Sequence, residues 1–378
     1  METKTTRQHI AFDFFVLIAI VFTAYMLQGI LVPLLISIIL SVLIFPVVYF
    51  LERKLRFNRV FSAVFSVLFL CLAILAIFTF IGIQFNDIIS KSDTYKAQIE
   101  KKIKPLIHQA EVSTGIQTDK IIESENMKME KVVENHFTNI TGFLMASGGF
   151  LGNMVVVPLY MFFFLLYRKF FISFIYTVLE KRCSKEDTKV ILAKLYDVQQ
   201  NYLVGLITVM FIVGVLNSAG LLILGIDFPF FFGFLCALLL LIPYIGILIG
   251  SLLPALVAFA TKDSYWYAIG VIAIFTFIQI LEGNIITPKI TGSKVSVNAF
   301  VSILSFVVFA MLWGTSGMIL ALPITASLKV IFDHSEGFKA YGFLLGEPTD
   351  EFLKSKARRR LKIWRQIRKE RKNRLLQS

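Results

Sequence analysis

Residues 228–260 read FPFFFGFLCALLLLIPYIGILIGSLLPALVAFA, 33 residues without a charge. Pro243 and Gly246 interrupt the run near its middle, and Gly250 and Pro254 follow within the next two turns. At ~1.5 Å rise per residue the stretch makes about 50 Å of helix, against a hydrocarbon core of roughly 30 Å. It is too long for one crossing and too short for two with a turn between them. Two stubby helices meeting inside the bilayer fit the length. Irregular backbone at that depth survives only where protein or a water-filled cavity satisfies the freed peptide groups, the usual setting being a channel or carrier.

Working outward, the composition fixes the class. Hydrophobic residues make up 57% of the 378, with 38 Phe and a mean hydropathy of +0.75, far beyond what one soluble core needs. The expected fold is an all-α polytopic membrane protein, with some of its helices forming broken or re-entrant hairpins. The three cysteines, Cys71, Cys183 and Cys236, have no CxxC spacing or His partners, so neither a disulfide framework nor a metal site is supported. The first apolar run lacks a small-residue cleavage site and reads as a retained span.

Apolar runs at Phe12–Leu27 and Ile30–Leu51 predict a helical hairpin. The loop Glu52–Arg56 with Arg59 carries four basic residues against one acid, which the positive-inside rule puts in the cytoplasm together with the N-terminus. A third span, Val60–Phe85, completes an N-terminal unit over 1–85. From 86 to 141 the charges nearly cancel. Ile99, Ile103, Leu106 and Ile107, then Met129, Val133, Phe137 and Ile140, lie at helical spacing. Two external amphipathic helices around Ser113–Gly115 are expected there, serving as a pore lid, a subunit contact, a surface-lying pair or a plain spacer. The core spans 142–335, with a fourth span at Phe143–Tyr167, a fifth at Leu203–Leu224, and broken hairpins at 228–260 and 295–332. The second hairpin is interrupted by Trp313–Gly317 and Pro323. We expect the two interrupted stretches to pack together, with a polar path running past their breaks.

The tail, 336–378, holds twelve Lys or Arg between Lys354 and Arg374 and only Glu370 against them. Arg358, Arg359, Arg360, Arg365 and Arg368 surround Trp364 in a juxtamembrane position. That pattern points to contact with anionic lipid, or to a solvated tail that sets topology, rather than to nucleic acid. Both termini are then cytoplasmic.

Chemistry concentrates after the 265–281 helix, where Gln279, Glu282, Asn284, Thr287 and Lys289 follow in quick succession and Pro288 removes a backbone donor. Ionisable groups near membrane depth are costly and usually face a cavity. A carboxylate beside an amide and freed carbonyls suits a proton, a monovalent cation or a small polar solute. The plainer alternative puts Glu282 and Lys289 at headgroup level, snorkelling or paired with each other. Asn217, among Gly214, Ser218 and Gly220, serves either helix packing or the path.

Three motifs in register carry a resemblance: Pro243–Gly246 with Gly250 and Pro254; Leu281–Ile290 containing Glu282, Asn284, Pro288 and Lys289; and Trp313–Pro323 containing Gly314 and Gly317. Together with the paired N-terminal runs they resemble the autoinducer-2 exporter-like transporter family over roughly residues 10–335. The resemblance implies a bacterial inner-membrane protein of about seven or eight transmembrane helices, homo-oligomeric, whose members export signalling molecules or exchange sodium for protons. Ala299 stands where many members have proline and Leu206 where Gln is frequent, and the basic tail lies outside the likeness.

No Walker loop, HExxH or nucleophile elbow occurs, which argues against an enzyme, a bound cofactor and an ATP-driven cycle. A transporter driven by an ion gradient or by the solute's own gradient is expected, an exporter in direction. The alternative is a passive oligomeric pore or membrane scaffold.

Overall fold

The computed structural model describes residues 12–348 apart from 13–14, 17, 92, 96, 100, 106–149, 180–184, 242–244 and 291–296. Pro243, the second external amphipathic helix and the basic tail with Arg358, Arg359, Arg360, Trp364, Arg365 and Arg368 therefore lie outside the described residues. What is described is helical throughout, apart from one isolated antiparallel bridge, Val297 to Gly346. The all-α polytopic membrane reading holds.

Among the described residues ten helices carry the architecture: α1 Gln28–Arg53, α2 Arg59–Ser90, α3 Phe150–Leu166, α4 Arg168–Leu179, α5 Lys185–Ile223, α6 Pro229–Leu239, α7 Ile245–Thr261, α8 Trp266–Leu281, α9 Ala299–Asp333 and α10 Lys339–Leu345. Among the described residues five segments are long and apolar enough to cross a membrane, Gln28–Arg53, Arg59–Ser90, Glu186–Ile223, Trp266–Ile290 and Ala299–Asp333, the last of them folded back on itself at Trp313 and Gly314. Phe65, Phe69 and Leu72 of α2 lie exposed along its outer side, a surface that water would penalise and lipid covers.

Before α1 the chain is helical over 18–26, and a single turn residue, Leu27, intervenes. Ile30 and Leu31 N–H both donate to the Leu27 carbonyl at 2.9 Å, so the helix resumes at once. The expected hairpin is thus a bend. Laying two antiparallel helices side by side takes a connection of about two to five residues.

α1, α2 and α3 form one unit. Ile44, Val48, Ala63, Val67, Met161 and Leu165 make its shared core. Ser37 lets the backbones approach, its single hydroxyl proton shared between the carbonyls of Pro33 at 2.5 Å and Val157 at 3.1 Å. Asn58 starts α2 by accepting from Phe61 N–H at 2.7 Å, an ordinary side-chain cap.

α5, 39 residues long, is the spine. Its C-terminal half packs on α6 and α8, and its N-terminal half on α9 and α1. Glycine permits the closest of these approaches. A Cβ on Gly233 would fall 2.6 Å from Ser218 N, and one on Gly220 would fall 2.5 Å from the Ile274 side chain.

Both interrupted stretches are helical hairpins. In the first, α6 and α7 run antiparallel. A Cβ on Gly250 would lie 2.9 Å from Cys236 Cβ, although 14 positions separate them in sequence. In the second, α9 reverses at Trp313 (φ −134°) and Gly314 (φ 61°, ψ −139°). Thr325 Oγ1 donates to Ser305 Oγ at 2.9 Å. In a straight helix those side chains, 20 residues apart, would be ~30 Å from one another. Asn298 caps the first arm through Val301 N–H at 2.9 Å, and its amide donates to the carbonyls of Leu344 and Gly346, closing the base.

Candidate functional site

The hairpins approach α5 from opposite ends. α6 leaves the C-terminal end of α5 through Phe228 (φ 56°) and Pro229, passes Gly233 against Ser218, and brings Ala237 to Val209 and Val213. Its tip therefore points down α5. The return arm of α9 is fixed lower, where Gln199 Nε2 donates to the Pro323 carbonyl and to Ser327 Oγ, each at 2.7 Å. Further out on that arm, Lys194 and His334 meet at 3.0 Å. This places the Trp313–Gly314 tip up α5. Among the described residues neither hairpin packs extensively on the other; each packs on α5. The described arms thus form an inverted pair along α5, while the expected direct pairing of the two breaks involves 242–244, outside the described residues. Nothing in the sequence pattern fixes this inverted direction, because either orientation buries the same apolar arms.

The polar cluster belongs to the first hairpin. Beyond α8 the helix widens into a π turn, Glu282–Ile286, closed by Thr287 N–H donating to the Glu282 carbonyl, and then a short helical turn, Thr287–Ile290. Pro288 is the reason. Lacking N–H, it cannot satisfy the Asn284 carbonyl, and the extra residue is absorbed by an i→i+5 bond. Ile286 and Ile290 join Val209, Met210, Ala237 and Leu240, which sets the π turn beside the tip of α6.

Glu282 is half-buried, and both carboxylate oxygens accept from neutral donors. Gln279 Nε2 donates to Oε2 at 2.7 Å, and Thr287 Oγ1 donates to Oε1. An ionised carboxylate has about four acceptor positions, so about two stay open to a ligand. Lys289 is exposed, and Asn284, also exposed, donates instead to the Ile280 carbonyl at 2.8 Å. Of the expected path residues, the structure brings Gln279 and Glu282 together and adds Thr287. Asn284 and Lys289 take no part in these bonds. The signal for Thr287 was Pro288: a proline one residue on forces the wide turn that swings Thr287 over Glu282.

Asn217 is 2% exposed and its Oδ1 has no partner among the described residues. It lies one turn from Val213, which packs near Ile278, and one turn from Leu221, which packs near Val271 and Phe275. It therefore faces the interior of the bundle, away from Glu282's own bonds. Among the break residues, Gly246 falls in the first turn of α7, Gly250 is pressed on Cys236, and Pro254 is fully buried. Gly314 makes the turn of the second hairpin, and Gly317 meets the Phe309 carbonyl. Pro323 offers its carbonyl to Gln199.

A further element reaches the first hairpin from the segment after α2. Lys102 Nζ donates to the carbonyls of Phe259 and Ala260, each at 2.9 Å, and of Lys262 at 2.5 Å, capping the C-terminus of α7. The Lys91 ammonium sits 4.9 Å from the centre of the Phe228 ring. Tyr95 packs on the cluster around Phe231 and Phe232; burial and the Asp227 carboxylate push its phenol above the usual range. Sequence reading missed Lys102, because nothing local ties a lysine to carbonyls more than 150 residues away. Among the described residues no three His, Cys, Asp or Glu side chains gather to hold a metal ion.

Membrane-length helices, two inverted hairpins on a common spine and a carboxylate at a helix break define a multi-pass α-helical membrane protein of the transporter class. The chain belongs to the AI-2E transporter family, whose model matches residues 14–337. Among its relatives, the putative transport protein YueF of Bacillus subtilis (strain 168) is 26% identical over 274 residues, covering 69% of this chain and 73% of YueF. The putative transport protein YrrI of the same strain is 34% identical over 134 residues, 35% of this chain and 37% of YrrI. The AI-2 transport protein TqsA of Escherichia coli (strain K12) is 28% identical over 155 residues, 41% of this chain and 45% of TqsA.

Proposed function

We propose that this transporter carries a small polar solute or a monovalent cation, that Glu282 is the group that binds it, and that the direction is export. The observation that supports this most is the Glu282 carboxylate, held among the described residues by Gln279 and Thr287, with acceptor capacity to spare at a π turn beside a hairpin tip. A carboxylate balanced by neutral donors is the kind that exchanges a proton for a cation or for a solute hydroxyl. Drive comes from an ion gradient or the solute's own gradient, since the sequence carries no nucleotide-binding loop. The relation to TqsA, an AI-2 transport protein, makes AI-2 the first cargo to try.

The protein resides in a bacterial inner membrane as a homo-oligomer with both termini cytoplasmic, its basic tail on anionic lipid. The deciding experiment is flux into proteoliposomes of purified protein, screening sodium, protons and AI-2 under imposed gradients. Saturable flux that falls at least tenfold in Glu282→Gln, with unchanged thermal melting, is expected; ~1.4 kcal/mol of lost binding already gives that factor. Undiminished flux in Glu282→Gln removes the carboxylate from the mechanism, and linear, ungated flux would favour a passive pore.

A further inference from the structure

Between Val155–Leu166 and Arg168–Val178 the chain bends by 72°. α3 packs lengthwise with α1 and α2, both long enough to span the membrane. A helix turned that far from α3 runs nearer the membrane plane than its normal. α4 carries two adjacent stripes at helical spacing. Lys169, Ser173 and Thr177 form one; Phe170, Phe174 and Val178 form the other, and all six are exposed. A polar stripe facing acyl chains would be costly, and an apolar stripe facing water equally so. Both are satisfied at one depth only, the boundary between headgroups and acyl chains.

The bend is anchored at that depth. Arg168 donates to both Glu52 carboxylate oxygens, at 2.9 and 2.5 Å, and its guanidinium lies 5.4 Å from the centre of the Phe45 ring. Glu52 sits in the last turn of α1, directly before the basic loop of Arg53, Lys54, Arg56 and Arg59. α4 thus begins level with four cations suited to lipid phosphates. We propose that α4 is an in-plane interfacial helix whose partner is the phospholipid of the leaflet facing this loop. Phe170, Phe174 and Val178 sit among the upper acyl carbons, and Lys169 sits among the phosphates. Because α4 links the α1–α3 unit to α5, it holds the start of the spine at the membrane surface.

The test uses the full-length protein with Cys71, Cys183 and Cys236 replaced, reconstituted in phosphatidylethanolamine–phosphatidylglycerol nanodiscs. Phe174→Cys and Ser173→Cys are labelled in turn with an environment-sensitive fluorophore. At 174 we expect blue-shifted emission, quenched more by a nitroxide near the headgroup than by one deep in the acyl chain. Aqueous iodide should quench the label at 173 several-fold more than that at 174. Equal iodide quenching at the two positions overturns the proposal in favour of a solvated helix. Stronger quenching of 174 by the deep nitroxide overturns it in favour of a broken span. Protection of 174 from every quencher, with subunit crosslinking through that position, overturns it in favour of an oligomer contact.

Discussion

Gly317 shows how little room the second hairpin leaves. A Cβ there would fall 1.9 Å from the Phe309 carbonyl oxygen and 3.1 Å from Trp313 Cβ. Backbone cannot yield as a flexible side chain can, so the arms of α9 would have to part. Gly317→Ala is expected to cost about 1–3 kcal/mol or more, lowering the melting temperature in detergent. Gly283→Ala is the matched control, because a Cβ there meets nothing within 4 Å. Equal melting of the two variants would mean that the reversal at Trp313 and Gly314 is not the native one. Asn217 poses the opposite question. A buried acceptor left without a donor costs about 1–3 kcal/mol, and removing the whole amide can be neutral or stabilising. Asn217→Leu is therefore expected to melt no lower than wild type. If Asn217 lines the path, flux falls while the melt holds; if it only packs helices, both stay.

Lys102 acts at the scale of the element, joining the segment after α2 to the exit of the first hairpin. Three carbonyls at a helix C-terminus accept from one ammonium, adding charge-assisted bonds to a favourable dipole. Lys102→Met is expected to loosen the last turn of α7 by about 1–2 kcal/mol, roughly a tenfold rise in amide exchange over 258–262. Lys102→Arg keeps the charge but offers a planar fork to carbonyls that converge on a point, so it should restore only part of the protection. Unchanged exchange in Lys102→Met would show that the turn holds itself. This element also marks where sequence reading ends. The helices themselves were legible, since apolar runs and the proline and glycine breaks report local chain geometry directly. Thr287 was legible in retrospect through Pro288. Lys102, the Arg168–Glu52 pair and the bend at Leu27 were not, because each depends on where distant segments meet or on the absence of a loop.

Across the molecule, the sequence announced two broken stretches but could not say how they face each other. Burial is satisfied equally by hairpins that run along α5 in the same direction and by hairpins that run in opposite directions, and only three-dimensional register decides between them. With α5 as the common spine, movement of one hairpin is a sliding of its arm along α5, and a bond across that seam should stop it. Gln199 and Ser327 touch across the seam of the second hairpin at 2.7 Å. Ser37 and Val157 touch inside the α1–α3 unit at 3.1 Å. Replacing each pair by cysteines in a cysteine-free background and bridging them with a short bifunctional thiol reagent separates the moving part from the frame. We expect the 199–327 bridge to abolish proteoliposome flux, with recovery on reduction if the reagent is cleavable, and the 37–157 bridge to leave flux intact. Loss of flux with the 37–157 bridge alone would make the α1–α3 unit the moving body and the α5 seam its fixed partner, since hairpin travel along α5 requires that frame only as an anchor.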